Sequence, residues 1–351
     1  MLIQNAKAFI NGKFQEKTDL LIRDGRISAI GTGLAAEGEE LLDLGGDLLL
    51  PGFVDVHIHA FKGMDTMQGE EAVRHMSREL KKVGVAAFLP TTMSASPEDT
   101  VKALAGVKAV MERPEPDGAI VLGAHMEAPF LAEAKAGAQL KQYFADPNEE
   151  NWQRYTCGLE SVVRLITMAP ERAGAMEFIS ALTKKGITVS IGHTTADAET
   201  THAAAEAGAT HVTHTFNAQT PLNHRAPGVP GAALVDDRLQ CEVISDGIHL
   251  HPDIVKLIIR TKGKEKLVAI TDAMEAAGMP DGQYQLGGQE VFVHEGAARL
   301  KDGTLAGSTL TMIRAFQNLI RFGATPEEAA LMTTKTPALS IGNEELGEIE
   351  L

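Results

Sequence analysis

The sequence predicts an α/β fold, a (β/α)8 barrel of the TIM type with a small β-sandwich-like accessory domain. From residue 51 onward, apolar strand-like runs alternate with amphipathic helical stretches at a spacing of roughly 20 to 40 residues, the rhythm of parallel strands joined by crossover helices. Eight such runs occur, the number that closes a barrel. Before residue 51 the texture differs. "LIQNAKAFING", "TDLLIRDGRISAIG" and "ELLDLGGDLLL" are short strand-like runs divided by Asn-Gly, Asp-Gly and Gly-Gly turns, the pattern of a small antiparallel sheet. The expected division is therefore 1–50 for the first strands of the accessory domain and 51–340 for the barrel.

In chain order the barrel strands are "FVDVHIH", "AAFLPTT", "AIVLGAHME", "VRLITMAPE", "ITVSIGHT", "THVTHTFN", "QCEVISDG" and "KLVAITDA". The first is entered through Pro51 and Gly52 and is apolar enough to be buried on both faces. Between strands, two helices have readable starts. Ser96 followed by Pro97, Glu98 and Asp99 precedes "TVKALAGVKAVME", and Thr325 followed by Pro326, Glu327 and Glu328 precedes "AALMTT".

Of 351 residues, 44% are hydrophobic, enough for a sizeable core. Lys and Arg number 32 against 47 Asp and Glu, a net charge of −15, which argues against nucleic acid and anionic membrane surfaces as partners. An anionic small substrate would need local cationic groups. The two cysteines, Cys157 and Cys241, form no CxxC pair and read as free thiols of a reducing compartment. The start "MLIQNAKAFINGKF" lacks the features of a signal peptide, and no uncharged apolar run reaches membrane-spanning length, so a soluble cytoplasmic protein is expected.

Chemistry in such barrels collects at the carboxyl ends of the strands. His57 and His59 end the first strand, Glu127 the third, His193 the fifth, His214 the sixth and Asp272 the eighth, while Asp246 and His249 follow the seventh. His57 and His59 share one strand face, roughly 7 Å apart along the chain, where two imidazoles either bind a common metal or serve as structural core residues. Singly, an Asp at a strand end is as readily a helix cap. Jointly, several imidazole and carboxylate ligands at one barrel mouth favour a divalent metal with open positions and a hydrolytic site. His125, on the strand face of Glu127, is expected to support the site rather than ligate, and His211 to point elsewhere. His75 and His202 read as solvated helix residues, and His224, His251 and His294 as loop or surface residues.

The strings "PGFVDVHIHAFKGMDTM", "GAHMEAPFLAEAKAGAQ", "SIGHTTADAE", "THTFNAQTPLNHRAPGVPGA", "SDGIHLHP", "AITDAMEAAG" and "TLAGSTLTM" resemble, in order, the signatures of N-acetylglucosamine-6-phosphate deacetylases of the amidohydrolase superfamily. The resemblance covers nearly the whole chain. It implies a metal held by Glu127, His193 and His214, with His57 and His59 matching members that hold a second ion; the cofactor is then zinc, iron or manganese, one or two ions per subunit. It makes Asp272 the general base and acid. Arg225 and His249 match residues that bind the substrate phosphate, the Arg coming from a neighbouring subunit, which implies a homodimer. Asn217 and Ala218 match sugar-contacting backbone positions.

Three departures stand out. Ala60 and Ala128 replace glycines, and their methyl groups would tighten the site if either position required φ > 0. Gln139 stands where some members carry a histidine that assists the carbonyl oxygen, a role its amide can fill as a hydrogen-bond donor. The chain stops at "LGEIEL", residues 346–351, where the family continues into strands that complete the small sheet, so the resemblance implies that 341–351 is the start of a truncated return to the accessory sheet and that the accessory domain is C-terminally truncated. The expected activity is hydrolysis of N-acetylglucosamine 6-phosphate to glucosamine 6-phosphate and acetate. The alternatives are the N-acetylgalactosamine 6-phosphate epimer, another amidohydrolase reaction on acylated amino acids or cyclic amides, and an inactive truncated metal-binding relative.

Overall fold

A computed structural model describes residues 1–35 and 38–349. Residues 350 and 351, the end of the expected return segment, lie outside the described residues. The first barrel strand, Phe53–Ile58, is buried at all six positions, as an apolar run covered on both faces must be. It pairs in parallel with Val85–Thr92, and the parallel ladder continues through strand three to Val163–Met168, Thr188–Ile191, His211–Val212, Gln240–Ile244 and Leu267–Ile270. Strand three is broken into Ile120–Val121 and Ala124–Met126. At the break, Gly123 has φ +148°, and a Cβ there would lie 2.7 Å from the Val162 carbonyl oxygen. The ring closes through Asp272 N–H to His57 C=O (2.8 Å), His59 N–H to Ala273 C=O (3.0 Å) and Thr271 Oγ1 to Asp55 Oδ2 (2.6 Å).

Ala87, Leu89, Leu165, Ile244, Val268 and Ile270 come from strands that are not all neighbours yet form one buried cluster, which the barrel interior brings together. Polar side chains are interleaved with them. His125 Nε2 bonds Thr167 Oγ1 (2.8 Å), which bonds Thr213 Oγ1 (2.8 Å), which bonds Ser190 Oγ (2.6 Å). A larger apolar layer lies between the strands and the surrounding helices. The helix Pro97–Glu112 starts as its sequence predicts, Ser96 Oγ accepting the Asp99 N–H, and Pro326–Thr333 begins with a reciprocal Thr325–Glu328 capping box. Among the described residues, no helix is long and apolar enough to cross a membrane.

The small sheet is mixed, not purely antiparallel. Leu2–Ile10, Lys13–Arg23 and Arg26–Gly31 form the expected hairpins, but Leu41–Asp43 and Leu48–Leu49 run parallel to Leu2–Ile10 along its other edge. The chain crosses over after Gly31, so the last two strands enter in the same direction as the first. Ile349 packs with Ile3, Ala6, Ala8, Ile10 and Leu20 of this sheet, while Leu41, Leu42 and Leu48 stand about half exposed. A second small sheet, absent from the sequence reading, follows strand eight as a meander of Gly282–Leu286, Gln289–His294 and Ala297–Arg299. Its signals are the Gly287-Gly288 and Glu295-Gly296 turns between short alternating runs.

Candidate metal centre

The strand ends bring five of the expected residues to one point. Glu127 Oε1 lies 3.1 Å from His193 Nε2 and 3.0 Å from His214 Nε2, and those two nitrogens are 3.1 Å apart. On the other side Glu127 Oε2 lies 3.3 Å from His59 Nε2, which is 3.4 Å from His57 Nε2. Glu127 thus belongs to two buried donor triads, one with His193 and His214 and one with His57 and His59. Asp272 Oδ1 completes the floor, 3.1 Å from His59 Nε2 and 3.5 Å from His57 Nε2. His193, His214 and Asp272 all have left-handed backbone (φ 46°, 28° and 50°), which turns the side chains at three strand ends.

These donors fit a cation. His193 Nδ1–H is spent on the Lys135 carbonyl (2.8 Å), His59 Nδ1–H on the Thr91 carbonyl (3.3 Å), and His57 Nδ1–H on Glu242 Oε2 (3.1 Å). In the tautomer these hydrogen bonds select, each ring when neutral aims an Nε2 lone pair at the centre. Acceptors packed this closely repel one another unless positive charge sits among them. The electrostatics agree. Burial opposes charge on Glu127, but His57, His193, His214 and His59 outweigh it and hold the carboxyl well below its usual range. Asp272 is likewise lowered against its burial, by His57 and His59. Desolvation opposes charge on His59, but Asp272 and Glu127 overcome it and push the ring well above its usual value, so a proton on Nε2 and a bound ion are alternative sources of the positive charge these carboxylates demand. A His/carboxylate set of this kind suits a divalent transition metal.

Above the donors lies a cavity of about 300 Å³ lined by Gln139, Asn217, Ala218, His249, Leu286 and Leu305, among others. Gln139 Oε1 accepts the Ser94 N–H (2.7 Å), and its Nε2 donates to Glu127 Oε2. His249 is held by Asp246, Nδ1–H donating to Oδ2 at 2.7 Å. Asn217 Nδ2 donates to the His214 carbonyl (3.2 Å), and the Ala218 carbonyl accepts the Thr194 N–H (3.1 Å). Arg225 is not brought to this cavity; it stands exposed on a loop and lines a separate surface depression with Asp197 and Thr220.

Ala60 and Ala128 have no positive φ, so their methyl groups cause no backbone strain. His125 is buried edge-on against His57, ring centroids 4.5 Å apart, and burial and then His57 drive its pKa well down, so it supports the site as a neutral ring. His211 stays out of the donor triads but is fully buried, 3.6 Å from Glu242 Oε1. His202 is tied to Asp236 at 2.8 Å, and His75 is half-buried rather than solvated. Sequence reasoning missed Glu242, although an acidic residue inside the apolar run "QCEVI" signals a buried charge that needs partners. It also missed Glu171, whose carboxylate accepts from Thr194 Oγ1 and the Thr195 N–H beside His193.

A parallel barrel with His and Glu donors gathered at its carboxyl end defines a metal-centred hydrolase. Residues 48–351 match the model of the amidohydrolase family. The chain is 37% identical over 342 residues to the N-acetylglucosamine-6-phosphate deacetylase of Lysinibacillus sphaericus, covering 96% of this chain and 88% of that protein. It is also 37% identical over 329 residues to the N-acetylgalactosamine-6-phosphate deacetylase of Escherichia coli O157:H7, covering 92% and 85%. The structure of N-acetyl-D-glucosamine-6-phosphate deacetylase from Mycobacterium smegmatis, in complex with N-acetyl-D-glucosamine-6-phosphate, superposes with a TM-score of 0.89 at 32% identity, covering 99% of this chain and 92% of that one. The chain belongs to the amidohydrolase family and, within it, to the N-acetylglucosamine-6-phosphate deacetylases.

Proposed function

We propose that the chain hydrolyses the N-acetyl group of N-acetylglucosamine 6-phosphate, giving glucosamine 6-phosphate and acetate. The observation that carries this reading is the Glu127–His193–His214 triad under a cavity into which Asp272 also opens. The triad would hold one divalent ion, and His57 and His59 with Glu127 would hold a second; zinc, iron and manganese all suit these donors. An ion held there would supply an activated water, its pKa lowered to about 7, and would polarise the amide carbonyl.

Asp272 takes the proton of the attacking water and returns it to the departing amine. Gln139 keeps one amide N–H on Glu127 and turns the other, which donates weakly to Met93 Sδ (Nε2 to Sδ 3.5 Å), from that sulfur to the acetyl oxygen. His249, fixed through Nδ1, offers Nε2 to the phosphate, and Asn217 and Ala218 meet the sugar through their backbone. Arg225, exposed and apart from its own cavity, reaches the phosphate bound in a neighbouring subunit, which makes the working form a homodimer. An acidic protein thereby holds an anionic substrate with local cationic groups. Two unpaired cysteines and a small phosphorylated substrate suit a reducing cytoplasm.

The galacto epimer is the second reading, favoured by the 37% identity to the Escherichia coli relative. Acetate release from the two epimeric phosphates and from unphosphorylated N-acetylglucosamine separates the cases. The proposal expects the gluco phosphate to be fastest and the unphosphorylated sugar to be poor. A faster galacto epimer would reassign the substrate, and indifference to the phosphate would contradict the Arg225 and His249 roles.

A further inference from the structure

Glu242 is a fully buried carboxylate in the seventh barrel strand, Gln240–Ile244, at an interior position where the barrel elsewhere carries Leu165, Val268 and Ile270. A carboxylate at such a position is costly and persists when its partners make use of it. Its Oε2 lies 3.1 Å from His57 Nδ1 and 3.3 Å from the His214 backbone N–H; its Oε1 lies 3.6 Å from His211 Nδ1. One carboxylate therefore touches residues from both halves of the donor cluster. Among the described residues, His57 alone of the four donor histidines is backed by a carboxylate, since His59 and His193 use backbone carbonyls and His214 Nδ1 is buried without a partner.

We propose that Glu242 is a positioning residue: it fixes the His57 ring with Nδ1–H bound to the carboxylate and Nε2 facing Glu127 and Asp272, and so sets the affinity of the His57–His59 ion position. The ring is further confined by His125 at 4.5 Å and His214 at 5.6 Å between centroids, so the carboxylate selects which nitrogen faces the centre within a fixed ring plane. A carboxylate behind a ligating imidazole also strengthens the nitrogen opposite as a donor. The proposal rests on the two-ion reading of the site.

The test is zinc binding by equilibrium dialysis to chelator-stripped wild type, Glu242→Gln, Glu242→Leu and His59→Ala, with the His57 tautomer read from imidazole 15N shifts of the stripped wild type in mildly alkaline buffer. The binding step lost in His59→Ala marks the His57–His59 ion. Glu242→Leu is expected to weaken that step by about ten- to a hundredfold while sparing the other, and Glu242→Gln, whose oxygen still accepts from Nδ1–H, to stay within about threefold. Unchanged binding in Glu242→Leu, or an equal loss in Glu242→Gln, overturns the proposal. Should Glu242→Leu fail to fold, the tautomer decides: an Nδ1–H ring supports the proposal and an Nε2–H ring overturns it. A wild type that takes one ion while showing the Nδ1–H ring refutes the two-ion reading and leaves the positioning of His57 by Glu242 intact.

Discussion

Replacing Gly192 by Ala puts a methyl group into the floor beneath His193. Gly192 follows the fifth strand and donates its N–H to the Met168 carbonyl at 3.1 Å. A Cβ there would lie 2.6 Å from Thr213 Cβ, 2.8 Å from Thr167 Cγ2 and 2.9 Å from Thr213 Oγ1. Carbon atoms rest at about 3.5–4.0 Å, so the strand must move by about 1 Å or the threonines must yield. They are poorly placed to yield, because Thr167 and Thr213 bond each other and are tied to His125 and Ser190. Overpacking of this kind costs about 1–3 kcal/mol. The next residue is His193, and ligand distances tolerate only about 0.2 Å, so zinc affinity at the Glu127–His193–His214 site should fall by at least about tenfold. Trp152, the single tryptophan, fully buried beside Phe178, reports unfolding in guanidinium by its fluorescence, and a zinc titration reads the site. Stability within about 0.5 kcal/mol of wild type together with unchanged zinc affinity would refute the claim that the packed barrel floor sets the His193 position.

Asp272→Asn should keep the Glu127–His193–His214 ion yet lose about 10²–10⁴-fold in turnover; near-normal acetate release with metal bound would remove Asp272 from the proton path. Asp19 is buried in the small sheet, its oxygens accepting the Asn5 and Leu34 N–H groups at 3.0 Å each, so Asp19→Ala should cost about 1–3 kcal/mol, and an unchanged melting temperature would contradict this. Burial pushes the Cys241 thiol up to about 11, whereas Cys157 is exposed, so a thiol reagent near neutral pH should label one cysteine in the native protein and two after denaturation. Because the folded value is the raised one, the stability Cys241 contributes is complete below its ordinary value of 9.0 and is lost as the pH climbs toward 11. Wild type should therefore lose up to about 2–3 kcal/mol relative to Cys241→Ala across that window, and parallel pH profiles would contradict the burial argument.

The barrel was legible because each strand is an apolar run ended by a polar residue, and the site because barrel geometry sends those ends to one place. His57, His59, Glu127, His193, His214 and Asp272 needed no more than that rule. What the sequence hid depends on contacts distant along the chain. Glu242 sits mid-strand, and only the folded barrel shows that it faces His57, 185 residues away. The parallel edge of the small sheet pairs Leu41–Asp43 and Leu48–Leu49 with a strand some forty positions earlier in the chain, which turn signals do not encode. The meander at 282–299 carries ordinary hairpin signals in its Gly287-Gly288 and Glu295-Gly296 turns, but its functional weight, Leu286 in the cavity wall, appears only in the assembled fold. Arg225 resembles a phosphate ligand by motif alone, and within one chain it stays outside the cavity.

The most direct test of the account is acetate release from N-acetylglucosamine 6-phosphate by protein stripped of metal and then supplied with zinc, iron or manganese. The account predicts no turnover after stripping and recovery on adding at least one of these ions. Unchanged turnover in the stripped protein, or none from a folded protein carrying metal at Glu127, His193 and His214, would contradict it.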